Sequence, residues 1–464
     1  LEKVEVPEVN VLLIVCDTLR ADHVGCYGYF RETTPNIDRV AAEGVLLEDF
    51  YNSGAPTGPG FTCIYTGLHS IHHRFYLFLP PNIRPIDDTI FTLPEIMRAR
   101  GYTTAALDNL INFPAHSKHF VRGYEFYINA SPGAFASPPV ITAEQVNRRL
   151  LPWIRAHSDE RFFLFVHYWD PHLPYNQPRE YQNMFHHERG NLSDLEVREA
   201  PAGYRYVPGW GRVDEINEGG ADRSIDLYDG EVAYMDHAIG ETLDALEEAG
   251  IIEETLILVT SDHGEQLGQH GAWGHNALHD AVTHIPLILR YPKRLPRGRR
   301  VRGFGQHIDL LPTILDLTGG PPRLPNIDGR SLTPLLMGKP LRERVFMEHV
   351  GLQRAVRTEE WKFIEYVRGK AAPGRSMTPE RPVQLYNVRD DPMEAINLAE
   401  KEKKQRRVLQ EALDGWVRSN LREGEEDPIL SYTPEERARM HAREYHTEGY
   451  EKMRAQQLTR LLQA

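Results

Sequence analysis

Cysteine is scarce: the 464 residues hold three, Cys16, Cys26 and Cys63. An odd count, with Cys16 closing an apolar run, speaks against a disulfide framework. It fits a reducing compartment, so a cytoplasmic protein is expected. Long apolar runs are also missing, and none approaches the roughly 18 residues that a membrane span requires. Positive charge is in deficit: 53 Lys and Arg stand against 66 Asp and Glu, a net charge of −13. That balance argues against a general nucleic-acid binder, leaving only a local basic pocket open. Residues 1–8 are charged and polar, unlike a signal peptide, but the sequence begins at Leu1 rather than Met, so this says nothing of a leader removed earlier. Core-forming residues are plentiful, with 6 Trp, 21 Tyr and 17 Phe. They suffice for one large α/β domain with a smaller companion, or for two comparable domains.

Continuous apolar runs dominate the first three quarters of the chain. Val9 to Cys16 and Leu256 to Val259 read as strands buried on both faces, which means a parallel sheet covered by helices. Thr34 and Pro35 read as the cap and first residue of a helix that Gly44 ends. Leu93 to Arg100 reads as helix, Thr103 to Leu107 as strand, Ala143 to Ala156 as a helix interrupted near Pro152, and Arg161 to Tyr168 as strand. Ser224 to Ala249 has helical spacing stopped by Gly250; Ile285 to Leu289 reads as strand and Ile308 to Leu317 as helix. This alternation predicts an α/β fold with a large, doubly wound, mostly parallel sheet between helix layers. Residues 174–222 are too long and polar for a simple connection and read as a substrate-facing insertion. Past residue 345 the pattern changes. Arg354 to Arg357 and Trp361 to Val367 read as short strands, and 385–420 as strand, loop and charged helix. We therefore expect a catalytic domain over 1–345 and, over 346–464, a smaller α+β subdomain with a short antiparallel sheet and a helical tail. The charged tail is expected to form a solvated face or a contact in a homo-oligomer.

Two of the buried strands end in carboxylates, Asp17 after the first and Asp262-His263 after the other. In open α/β sheets ligands bind beyond the carboxyl ends of strands, and a carboxylate beside an imidazole there suits a divalent metal. The alternative makes Asp262 the cap of a following helix and His263 a space-filler. Residues 53–67, SGAPTGPGFTCIYTG, read as a loop entering a helix whose free N–H groups can hold an anion, with Thr57 at the entrance as cap, nucleophile or both. The cluster His69, His72 and His73 invites a metal reading by spacing alone. Arg20 and Asp22 are expected to form a local ion pair.

The segments VNVLLIVCDTLRADHVGCYGY (9–29), TTPNIDRVAAEGV (33–45), DPHLPY (170–175), YDGEVAYMD (228–236), TSDHGEQLGQHGAWGH (260–275), HIDLLPTILDLTGG (307–320) and QLYNVRDDPMEAINLA (384–399) together resemble the sulfatase family of hydrolases, within the alkaline-phosphatase-like superfamily. The resemblance runs over nearly the whole chain in family order. It implies Asp17, Asp262 and His263 as metal ligands, with Thr57 at the nucleophile position and in contact with the metal. His172 and His275 match positions that touch the transferred group or the leaving oxygen, His275 as acid and His172 as oxyanion donor. Asn109 falls where many members carry an active-site lysine and is expected to bind substrate. Three departures matter. Thr18 replaces a second acidic ligand, so zinc or manganese is expected rather than calcium, with a second metal left open. Thr57 replaces the Cys or Ser that true sulfatases convert to formylglycine. Phe61 replaces the arginine of that loop.

The resemblance thus shifts toward Thr-nucleophile members that cleave phosphate diesters or phosphonate monoesters. The expected partner is a small-molecule phosphate, phosphonate or sulfate ester. The rivals are a sulfate-ester hydrolase working with unmodified Thr57, a phosphotransferase passing the Thr57-bound group to an alcohol, and a binding protein that kept the fold without turnover.

Overall fold

The computed structural model describes residues 9–75, 86–110, 117–130, 141–185, 220–321, 324, 326–349, 353–367 and 383–429. Most of the polar 174–222 stretch and residues 430–464 of the tail lie outside these. The strands are β1 (Asn10–Cys16), β2 (Val45–Tyr51), β3 (Gly54–Ala55), β4 (Thr103–Leu107), β5 (Phe126–Ile128), β6 (Phe162–Tyr168), β7 (Thr255–Ser261), β8 (Gln266–Leu267), β9 (Trp273–Gly274), β10 (Leu287–Arg290), β11 (Arg299–Gln306), β12 (Arg344–His349), β13 (Gln353–Thr358), β14 (Trp361–Tyr366) and β15 (Val383–Asn387). Eight form one sheet in the order β11-β2-β10-β7-β1-β6-β4-β5.

β1 sits between β6 and β7, parallel to both. Its even residues Leu12, Ile14 and Cys16 enter one core, and its odd residues Val11, Leu13 and Val15 enter the core on the opposite face. That two-sided burial is why the run lacks alternation, and each buried aliphatic side chain contributes about 1.5–3 kcal/mol. β10 is antiparallel to both of its neighbours, β2 and β7, so the sheet is mostly parallel rather than wholly so. The helix Ala143–Ala156 continues across Pro152, against the expected interruption. Its buried stripe, Val146, Leu150, Trp153 and Ile154, packs into the core and holds the helix across the proline. Thr34 occupies the cap position of the helix Pro35–Glu43 without capping it; its hydroxyl instead receives Gly25 N at 2.8 Å.

A second sheet has the order β15-β14-β13-β12-β3. β12 to β15 pair antiparallel, as expected for the C-terminal part, while β3 joins in parallel from residues 54–55. The second sheet is thus tied to the segment just before Thr57. A buried cation also binds it to the site-bearing side: Lys362 Nζ of β14, 0 % exposed, lies 2.6 Å from Asp280 Oδ1 and 3.2 Å from Glu394 Oε1. Removing one member of such a group leaves buried charge uncompensated. Lys362→Met is expected to destabilise the protein by roughly 3–5 kcal/mol, read as a lowered urea midpoint; an unchanged midpoint would refute the pairing's importance.

Candidate active site

The register of the central strands assembles the site. Cys16 of β1 pairs with Ser261 of β7 and with Tyr168 of β6, so the residues that follow, Asp17, Asp262 and the Trp169–His172 turn, leave the sheet side by side. No helix follows Asp262, which removes the capping alternative; the chain passes into β8 instead. Asp262 Oδ1 accepts the backbone N–H of His263 at 2.8 Å and of Thr18 at 3.3 Å. Thr18 takes a φ of 61° to make the second contact, an uncommon conformation for a β-branched residue. Gly264 is required by close packing, since a Cβ there would lie 2.1 Å from Ala281 O.

Asp17, Asp262 and His263 are all fully buried, and one ligand atom from each lies within 4.8 Å of the others. Both Asp17 carboxylate oxygens and Asp262 Oδ2 accept no hydrogen bond of ordinary geometry. The imidazole nitrogens facing them are His167 Nε2, 3.4 Å from Asp17 Oδ2, and His263 Nε2, 3.3 Å from Asp262 Oδ2. His263 Nδ1 is 3.0 Å from the Gly264 carbonyl, an acceptor only, so Nδ1 carries the proton and Nε2 offers a lone pair. Burial and the Asp17 charge hold the Asp262 carboxyl well above its ordinary range. Burial and the neighbouring His275 push the His263 imidazole down to about 3. The unbonded oxygens of Asp17 and Asp262 Oδ2, with an imidazole whose other nitrogen is held by a carbonyl, fit a divalent cation, which would offset the repulsion between the carboxylates.

Thr57 opens the helix Thr57–Thr66 and is 5 % exposed. Its Oγ1 is 3.1 Å from His263 Nε2, so the hydroxyl donates to that lone pair. Gly60 lets the helix approach, since a Cβ there would stand 3.1 Å from Asp262 O. Phe61, buried in the next turn, meets the His167 ring at 4.6 Å between centroids. His172 and His275 reach the same region: the His275 ring is 4.4 Å from that of His263 and 5.3 Å from that of His172. Asn109 is fully buried and its carbonyl oxygen accepts from Trp169 Nε1, a ring lying between His167 and His172.

Two residues were missed in the sequence. His167, within β6, joins Asp17 to Asp108: Nδ1 is 2.8 Å from Asp108 Oδ1, and Tyr127 Oη donates to Asp108 Oδ2 at 2.6 Å. Burial opposes charge on His167, but the hydrogen bond to Asp108 and the facing Asp17 carboxylate outweigh it and raise the imidazole to about 9. Glu265, three residues after Asp262, is 1 % exposed beside His275. Other expectations resolve simply. Arg20 and Asp22 form their ion pair at 2.6 Å. Among the described residues no metal-competent trio includes His69, His72 or His73; His72 pairs with Asp328, and His73 faces Cys63 Sγ at 3.5 Å.

The model of the family described as Sulfatase matches residues 9–320. The chain belongs to the sulfatase family. A second model, described as the C-terminal part of N-sulphoglucosamine sulphohydrolase, matches residues 268–418. Among relatives of this sulfatase-family chain, the multifunctional alkaline phosphatase superfamily protein PehA of Trinickia caryophylli is 28 % identical over 71 % of this chain and 78 % of its own. Human arylsulfatase A is 26 % identical over 84 % of this chain and 83 % of its own. The phosphonate monoester hydrolase of Agrobacterium radiobacter has the same fold, with a TM-score of 0.69 at 22 % identity, covering 89 % of this chain and 96 % of that one. Fold, family and metal-competent cluster together fit a metal-dependent hydrolase. No helix among the described residues is long and apolar enough to cross a membrane.

Proposed function

We propose that this sulfatase-family protein hydrolyses phosphate diesters or phosphonate monoesters by attack of Thr57. One observation carries the reading: a single hydroxyl, Thr57 Oγ1, stands at a helix N-terminus, 3.1 Å from His263 Nε2 and beside buried Asp17 and Asp262 oxygens that lack hydrogen-bond partners. Asp17, Asp262 and His263 would hold zinc or manganese, with Thr57 beside it. Such a cation, when bound, would lower the pKa of a neighbouring hydroxyl and polarise the ester. Thr57, its hydroxyl proton released to solvent, would bond through Oγ to phosphorus as the bond to the leaving oxygen breaks. His275 delivers positive charge to that oxygen as a proton, His172 contacts the transferred group, and Asn109 donates to it through its amide. Water attacks phosphorus in the second step and frees Thr57. The helix N-terminus adds a favourable dipole for the anion.

Residue 57 also selects phosphorus over sulfur. A geminal diol expels sulfate without a second attack at sulfur, whereas a sulfated threonine would need water to attack sulfur itself. In kcat/KM, the best aryl phosphodiester or phosphonate is expected to exceed the matching aryl sulfate by about 10²-fold or more, roughly 2.7 kcal/mol. A panel of aryl monoesters, diesters, phosphonates and sulfates on metal-reconstituted protein tests this, and a sulfate preference with unmodified Thr57 would restore the sulfatase reading. The division into 1–345 and 346–464 belongs to the same proposal, with β3 lending its two residues to the C-terminal sheet. So does a cytoplasmic location, which three free cysteines support.

A further inference from the structure

Beside the first cluster stands a second set of ligand-type atoms. One atom each from His172, Glu265 and His275 lies within 4.8 Å of the other two. They come from three separate loops, after β6, after β7 and after β9. Gly274, with φ 85°, turns the last loop so that His275 follows directly, and His349 Nε2 of β12 fixes it by meeting the His275 carbonyl at 3.1 Å.

Glu265 is the telling residue. Its side chain is 1 % exposed, and Oε1 has no hydrogen-bond partner. No Lys or Arg among the described residues pairs with the carboxylate; its ion-pair neighbour is His275 Nδ1, at a long 3.4 Å from Oε2. A buried carboxylate left in this state is costly unless a cation joins it. His172 is set up to help. Its Nδ1 lies 2.6 Å from the Leu173 carbonyl, so the neutral ring keeps its proton there and turns Nε2 out as a lone pair. His263 is held in the same way by Gly264, and an imidazole whose far nitrogen donates to a carbonyl is the usual form of a metal ligand.

We infer that His172, Glu265 and His275 bind a second divalent transition-metal ion, zinc or manganese by their nitrogen and carboxylate donors, next to the Asp17–Asp262–His263 site. The inference rests on the proposed phosphoester hydrolysis and changes the roles of His172 and His275 in it: both become ligands, and the positive charge at the leaving-group side is a cation's rather than a proton's. Charge counting favours this. Two carboxylates neutralise a divalent ion at the first cluster, whereas one carboxylate at the second leaves a net positive charge for an anionic ester.

The test is metal stoichiometry, independent of turnover. Metal-stripped full-length protein is dialysed against zinc, and separately loaded with manganese for electron paramagnetic resonance. Wild type is expected to retain about two zinc ions per chain, and Glu265→Gln, His275→Ala and Asp262→Asn about one each. Manganese-loaded wild type should give a spin-coupled spectrum that becomes uncoupled in all three variants. Glu265→Gln preserves the shape of the buried side chain, and His275→Ala removes a partly exposed one, so a folding failure in one leaves the other informative. A single ion in wild type, or two ions in both Glu265→Gln and His275→Ala, would overturn the second site. Loss of all metal in both would also overturn it, by making these residues supports of the first ion. Each of these outcomes is separate from the substrate panel that judges phosphoester hydrolysis.

Discussion

Thr57→Ala is expected to lower kcat/KM for an aryl phosphodiester by about 10³–10⁵-fold, some 4–7 kcal/mol of transition-state stabilisation. The size follows from the role: a nucleophile's loss removes the covalent route entirely and leaves only the contribution of binding and charge. The structural cost should be small. The methyl-bearing side chain makes a single polar contact, the 3.1 Å hydrogen bond to His263 Nε2, and it does not cap its helix. Losing that bond leaves His263 Nε2 free to bind a cation, so metal content should hold. Thr57→Ser keeps the hydroxyl and should stay within about tenfold of wild type. Rapid-quench trapping of a phosphorylated protein in wild type, absent in Thr57→Ala, is the direct readout. Thr57→Ala with more than a tenth of wild-type activity would move the nucleophile to water and remove threonine from the chemistry.

How far the sequence led can be seen in individual residues. β1 and β7 were legible because burial on both faces writes itself as an unbroken apolar run, and their terminal carboxylates are polar residues placed where such a run stops. Strand direction is not written that way. β10 has the same kind of apolar run as its neighbours yet runs antiparallel, since an apolar segment reads alike in either sense. β3 escaped notice because it has only two residues and takes its partner from β12, almost 300 positions away. His167 looked like one more core residue of Phe162–Tyr168. Its role comes from Asp108 after β4 and Asp17 after β1, neighbours that only the sheet order supplies. Glu265 was visible in the right motif, but its lack of a partner is a property of the packed site alone.

Asp262→Asn is expected to empty the Asp17–His263 site of its ion and to cost about 10³-fold or more in kcat/KM. Asparagine is the informative substitution because it separates structure from charge. Its side-chain carbonyl can keep the hydrogen bonds from His263 N and Thr18 N that Asp262 Oδ1 now accepts, while the anionic ligand at Oδ2 is lost. The two states of the protein should then respond in opposite directions. Without metal, wild type buries Asp17 and Asp262 close together, and burial and that like charge push the Asp262 carboxyl up. Removing the charge relieves this, so metal-free Asp262→Asn should melt at or above the temperature of metal-free wild type. With zinc at a hundredfold excess over Kd, wild type gains about 2.7 kcal/mol from this site by mass action, and the variant forgoes that gain. Differential scanning calorimetry with and without chelator reads both effects. A metal-free variant markedly less stable than metal-free wild type would mean that Asp262 is a structural residue. A variant with the full zinc response would mean that the ion is held elsewhere, and either result would take the metal away from the strand ends.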